Sequence, residues 1–289
     1  MTPQHRRGLI LVVISALLFS TPGLFTRGVS AGAWEVTFWR AAFGILFAFL
    51  FLFWRGTARQ ELSRIGWNGV VASLVWASGA VAYIQAYKLT SIANVSLIYG
   101  SAPLLCALVA WIALKEQPRA AVLAASVFAF AGVALVGFGS LGSANFIGDL
   151  LALWMTVTVA VQFAIFRKHP GISAIGVTIL SSIMVLPPGL MFGSPFAVSG
   201  PEIAILAGFG LVLVLAATLL TEGAKLLPAS ETALVSNLEV PVQPVLAYLV
   251  FAELPPLATF LGGAVIIVAV LASQWPMVTA SRAGAADRA

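Results

Sequence analysis

Ten apolar runs follow one another along this chain, each close to the roughly 20 residues that carry an α-helix across a hydrocarbon core of about 30 Å. Cut at charges, prolines and glycines, they are Gly8–Thr26, Trp34–Trp54, Trp67–Tyr87, Ala93–Leu114, Ala120–Phe138, Ile147–Phe166, Ser173–Phe192, Ile203–Glu222, Thr232–Ala252 and Leu257–Trp275. Segments of this length read as helices, because a bilayer admits only helices and closed barrels, and barrel strands are half as long. Hydrophobic residues make up 61% of the 289 and charged ones 9%, with a mean hydropathy of +1.04. No soluble core could hide that much apolar surface. The expected fold is an all-α integral membrane protein with ten transmembrane helices. The first run begins at Gly8 with no small-residue cleavage site after a short apolar stretch, so it reads as a retained helix and not a signal peptide.

The runs are not ten independent elements. KLTSIANVSLIYGSAPLLCALVAWIALKEQP, from Lys88 to Pro118, has a counterpart in KLLPASETALVSNLEVPVQPVLAYLVFAELP, from Lys225 to Pro255. Lys88, Glu116 and Pro118 fall opposite Lys225, Glu253 and Pro255, so sparse polar punctuation recurs against an apolar background. Fainter echoes precede it: Gly8 answers Gly148, Arg27 answers Arg167, and Val36-Thr37 answers Val177-Thr178. The expected division is 1–143 and 144–289, five helices each.

Orientation follows from the basic residues. With the N-terminus inside, Arg6, Arg7, Arg55, Arg59, Arg64, Lys115, Arg119, Arg167, Lys168, Lys225, Arg282 and Arg288 are cytoplasmic, and only Arg27 and Lys88 lie outside. Both termini are then cytoplasmic. Five helices per half is an odd number, so the second half enters the membrane from the opposite side and the repeats are inverted. Inverted repeats of this kind build secondary transporters, with the site near the midplane between halves.

Several other functions are excluded or lack support. The net charge of +5 is spread thinly between apolar runs, which argues against nucleic acid. Gly137-Phe-Gly-Ser-Leu-Gly142 matches GxGxxG but leaves a helix for a short turn, with no strand before it, so it is no nucleotide site. His5 and His169 sit in polar loops, and no motif implies a metal, a cofactor or an enzyme nucleophile. The single cysteine, Cys106, excludes an intramolecular disulfide.

Candidate site residues are the polar groups inside the runs, each of which needs a partner or a wet cavity. Arg40 lies in the second run and Glu239 near the middle of the ninth; their repeat counterparts, Ser181 and Ala102, are uncharged. Two roles stay open: structural staples, or charges on a substrate pathway, with proton exchange by Glu239 if the two do not pair. Thr232, Ser236, Glu239 and Gln243 share one helical stripe, flanked by Pro241 and Pro244. Trp76, Tyr83 and Tyr87 share a face of the third run, with Gly79 and Ala80 leaving room for a planar group, and Tyr99 stands above Pro103 on the fourth. Trp154 and Gln162 on the sixth run join them as candidates.

Ten spans in two inverted five-span halves, with the fourth and ninth ending in Lys-Glu-x-Pro and Ala-Glu-x-Pro, resemble the EamA-type drug/metabolite transporter superfamily. Within it the chain looks most like the YddG-type aromatic amino-acid exporters of bacterial inner membranes. The resemblance implies helices one to four and six to nine around a central cavity, the fifth and tenth outside it, and export of small metabolites without an ATP-binding module. Aromatic and other apolar amino acids, moved by alternating access, are the expected substrates. Drugs, purines or sugars remain open as substrates, as do a membrane enzyme acting on lipid and a non-transporting scaffold.

Overall fold

The computed structural model describes residues 3–115, 117, 120–138, 145–224, 226–227 and 235–268. Among them every regular element is helical, as it must be where lipid offers no partner to backbone groups. In chain order they are α1 (Pro3–Phe19), α2 (Pro22–Arg27), α3 (Ala33–Arg55), α4 (Ala58–Ser63), α5 (Gly66–Leu89), α6 (Ile92–Tyr99), α7 (Ala102–Leu114), α8 (Ala120–Phe138), α9 (Asn145–Lys168), α10 (Ala174–Phe192), α11 (Gly200–Ala224), α12 (Glu239–Phe251) and α13 (Leu257–Val268). Of the residues weighed above, Glu116, Pro118, Arg119, Lys225, Thr232, Trp275, Arg282 and Arg288 lie outside the described residues, as does the stretch 139–144 with its expected halfway boundary.

Six described helices are long and apolar enough to cross a membrane: Pro3–Arg27 taken as one unit, α3, α5, α9, α10 and α11. Helices α6 and α7 add a seventh as a single span bent by 41°. The chain is a multi-pass membrane protein. Ala124–Leu135 within α8, α12 and α13 are apolar but shorter, so length alone does not reach the expected ten.

The breaks have local causes. Pro22 lacks an N–H, and at the end of α1 the carbonyls of Ala16 and Leu18, which accept from Ser20 N and Thr21 N, also accept from Ser20 Oγ (2.8 Å) and Thr21 Oγ1 (2.7 Å). The expected fourth run divides at Gly100-Ser101, where Ser101 Oγ donates to Ile98 O at 2.7 Å and Pro103 enters the first turn of α7, which needs no N–H. Ser91 and Ser173 cap α6 and α10 by accepting from Asn94 N and Gly176 N, each at 2.9 Å.

Helices α7 and α12 match closely. Each has 13 residues, α7 starting at Ala102 and α12 at its repeat counterpart Glu239. They end on Lys115 and Ala252, whose φ angles of 56° and 53° are the positive non-glycine values among the described residues. A side chain there costs about 1–2 kcal/mol, and the two caps fall at positions that stand opposite one another in the sequence register above.

Packing joins the first half of the chain to the second: α1 lies on α11, α3 on α10, α5 on α9, and α6 on α12, while α3 also touches α11 and α5 touches α10. The α5–α9 crossing is close because small residues permit it. A Cβ on Gly79 would overlap Thr158 Oγ1, and one on Gly148 would come within 2.7 Å of Thr90 N. Large apolar side chains such as Phe53, Leu74, Ile112 and Leu249 point outward and are exposed, the surface a bilayer covers.

A two-chambered cavity as the candidate functional site

Between the packed halves lie two cavities, of about 260 Å³ and 360 Å³. Arg40, Thr178, Leu213 and Ala217 line both, so the two adjoin as an inner and an outer chamber. Five residues of α5 wall the inner chamber: Trp76, Gly79, Ala80, Tyr83 and Tyr87. Helix α6 adds Tyr99 at its last turn, α12 adds Glu239 and Gln243 one turn apart, and α9 adds Met155, Thr158 and Val159. The outer chamber runs along α3 from Arg40 to Arg55 and is flanked by Glu61, Ser182 and Glu222.

Seven of the ten residues singled out from sequence therefore come together here: Arg40, Trp76, Tyr83, Tyr87, Tyr99, Glu239 and Gln243. Trp154 instead turns away from the bundle, with 51% of its surface exposed. Gln162 is buried in α9 with no hydrogen-bond partner for Oε1, and half-buried Ser236 precedes α12; neither is among the lining residues. Met155, Thr158 and Thr178 were not anticipated. Their signal on α9 was the stripe Gly148, Ala152, Met155 and Val159, buried at heptad spacing, which faces α5 and leaves Trp154 off it.

Within the inner chamber the Tyr87 hydroxyl donates to Gln243 Oε1 at 2.6 Å, and the Tyr83 and Tyr87 rings meet edge to face with centroids 5.0 Å apart. The Tyr99 hydroxyl and the Glu239 carboxyl belong to residues lining the same chamber. Tyr83 lines it together with Arg40 and Glu239. Among the described residues no ion pair joins Arg40 to Glu239, and Arg40 Nε is buried without a hydrogen-bond partner.

The two ends differ. At the Arg55 end the outer chamber has an open mouth, where Arg55 Nη2 pairs with Glu222 Oε1 at 3.3 Å, both partly exposed. Past Tyr87, on the far side of the inner chamber, lies a cluster of polar contacts. Arg27 donates to the carbonyls of Tyr87 (2.8 Å) and Thr90 and pairs with Glu253 at 3.5 Å, while Glu253 Oε1 accepts from Ile92 N at 2.9 Å. Behind this, buried Asp149 accepts from Thr90 Oγ1 (2.6 Å) and Asn94 Nδ2 (3.0 Å), and Thr259 Oγ1 donates to Asn94 Oδ1 at 2.7 Å. Each bond in that cluster binds α2, α5 or α6 to a residue of the same region or of the second half.

Residues 6–138 match the EamA-like transporter family. Mouse solute carrier family 35 member G1 is 28% identical over 178 residues, a match covering 56% of this chain and 47% of that protein, so the chain spans about half the length of this relative. A protein of known crystal structure, 20% identical, superposes with a TM-score of 0.66 over 92% of this chain and 96% of its own. That likeness is one of fold.

Proposed function

We propose that the chain is a secondary transporter of the EamA-type drug/metabolite superfamily, exporting aromatic and other apolar amino acids across a bacterial inner membrane by alternating access. Its transport unit is ten spans in two inverted halves, 1–143 and 144–289. The family match covers nearly all of the first half. The second half is assigned by the pairing of α7 with α12 and by the packing. Exchanging spans one to five with six to ten turns the α1–α11 contact into α9–α5 and the α3–α11 contact into α10–α5, and leaves α3–α10 and α6–α12 as they are. The six long helices, the bent pair and the three shorter apolar helices support a count of ten.

The observation that carries the reading is the pair of adjoining chambers. They lie between the halves, open at the Arg55 end and bordered past Tyr87 by the polar cluster, and the inner one has aromatic rings with one cation and one anion on its walls. In this reading the cluster is the closure that must break, built from hydrogen bonds and one ion pair, and the rings suit an apolar side chain. The basic residues Arg55, Arg59 and Arg64 place the open end in the cytoplasm, the side from which an exporter loads.

Counterflow into proteoliposomes tests this. Vesicles preloaded with unlabelled phenylalanine should accumulate labelled phenylalanine transiently, and excess tryptophan, tyrosine or leucine should suppress the signal. Suppression by a purine, a sugar or a cationic drug but by no amino acid would replace the substrate class.

A further inference from the structure

The reading of the inner chamber as an amino-acid site leaves unanswered how the ligand's polar end is held. We propose that Arg40 and Glu239 form a split counter-charge pair for a free zwitterion, Arg40 taking the carboxylate and Glu239 the ammonium, with the carboxylate turned toward the open mouth.

The first ground is the state of Arg40. Three arginines face the chambers or the polar cluster beyond them, and two are matched by acids: Arg27 with Glu253 and Arg55 with Glu222. Arg40 has no acidic partner among the described residues, and its Nε is buried and bonds to nothing. A guanidinium keeps its charge and offers five donors in a fork that fits a carboxylate. A staple holding the fold together would be satisfied by protein groups, since burying an unmatched charge is strongly unfavourable. Arg40 is instead satisfied by what enters the chambers.

The second ground is the placing of the two charges. Arg40 lines both chambers and so meets the ligand at the junction, while Glu239 lines only the inner one. Glu239 is the first residue of α12, and Tyr99 lines the same chamber beside it. Tyr83 lines the same chamber as both charges, so a ring and a hydroxyl share the wall space with them. A molecule carrying one charge of each sign completes both sites at once. A molecule carrying a single charge leaves the other residue desolvated and unmatched, and sites built in this way reject such analogues strongly.

Competition in the counterflow assay decides it, using phenylalanine, phenylalaninamide (no carboxylate) and 3-phenylpropanoate (no ammonium). The parent should prefer phenylalanine over either analogue at least tenfold. In Arg40→Gln the preference over the amide should collapse to within about twofold, with partial recovery in Arg40→Lys; in Glu239→Gln the preference over 3-phenylpropanoate should collapse. Each preference is a ratio within one variant, so it does not depend on how much of that variant folds, and Arg40→Lys keeps the charge if Arg40→Gln does not fold. Full retention of the phenylalanine-to-amide ratio in Arg40→Gln, or a parent that takes the amide as readily as phenylalanine, overturns the proposal while leaving amino-acid transport standing. A parent indifferent to all three compounds refutes the amino-acid reading itself.

Discussion

Tyr87 on α5 donates its hydroxyl proton to Gln243 Oε1 on α12 at 2.6 Å, and this buried bond ties the two halves of the chain across the inner chamber. Tyr87→Phe keeps the ring and leaves the Gln243 acceptor orphaned, which costs about 1–2 kcal/mol. The purified variant should unfold at a lower temperature than the parent. Adding Gln243→Leu to it should lower the midpoint little further, because the two groups act as a unit. An unchanged midpoint in Tyr87→Phe would show that the bond contributes nothing.

The α5–α9 crossing sets the depth of the chamber. A methyl group at Gly79 runs into Thr158 Oγ1, itself fixed by donating to Met155 O at 2.6 Å. Gly79→Ala should therefore destabilise the protein by about 1–3 kcal/mol, the usual cost of overpacking, and Thr158→Ala in the same chain should recover most of that loss. Thr158→Ser should not, since it keeps the hydroxyl. Equal rescue by both substitutions would place the clash elsewhere.

Arg27 and Glu253 pair in the polar cluster at the end past Tyr87. Replacing Arg27 by Gln removes the ion pair and two hydrogen bonds to carbonyls at the end of α5 and just beyond it, and should shift the population toward a state open at that end. A cysteine at Ala80, which lines the inner chamber, reports this in a Cys106→Ala background. A membrane-impermeant thiol reagent applied from the Arg27 side should label it faster in Arg27→Gln than in the parent sequence. Equal labelling would mean that this ion pair does not hold the end shut.

Orientation is checked with the same chemistry. In intact cells a cysteine at Asn145 should react with an impermeant reagent and one at Gln60 should not, because Arg55, Arg59 and Arg64 resist translocation in a short loop. The reverse pattern would invert the map and turn the open mouth of the outer chamber outward.

The sequence carried more of the backbone than of the site. Rare punctuation pointed to a repeat, and its spacing placed Ala102 opposite Glu239, the positions where α7 and α12 begin. Helical spacing also brought Trp76, Tyr83 and Tyr87 to one wall, because residues on one face of a rigid helix must share an environment. Trp154 stands outside the chamber for a complementary reason. Its residue type suits a pocket, but which face of α9 turns inward is decided by the long-range fit of Gly79 against Thr158, and no local pattern around Trp154 records that. Proline at 103 signalled a break in the fourth run, while the 41° bend there depends on how α6 packs on α12 and α7 on α9. Whether Arg40 and Glu239 pair directly also lay beyond sequence, which left both outcomes open; both line the inner chamber, and among the described residues no ion pair joins them.

The most direct measurement is labelled-phenylalanine counterflow in three preparations side by side: parent protein, Glu239→Gln, and protein-free vesicles. Glu239→Gln keeps the shape of the side chain and removes its charge. Clear counterflow by the parent is expected, with loss of at least nine-tenths of it in Glu239→Gln while that variant inserts and elutes as the parent does. A parent no better than empty vesicles, or a Gln variant that carries phenylalanine at the parental rate across several pH values, would contradict the proposed function.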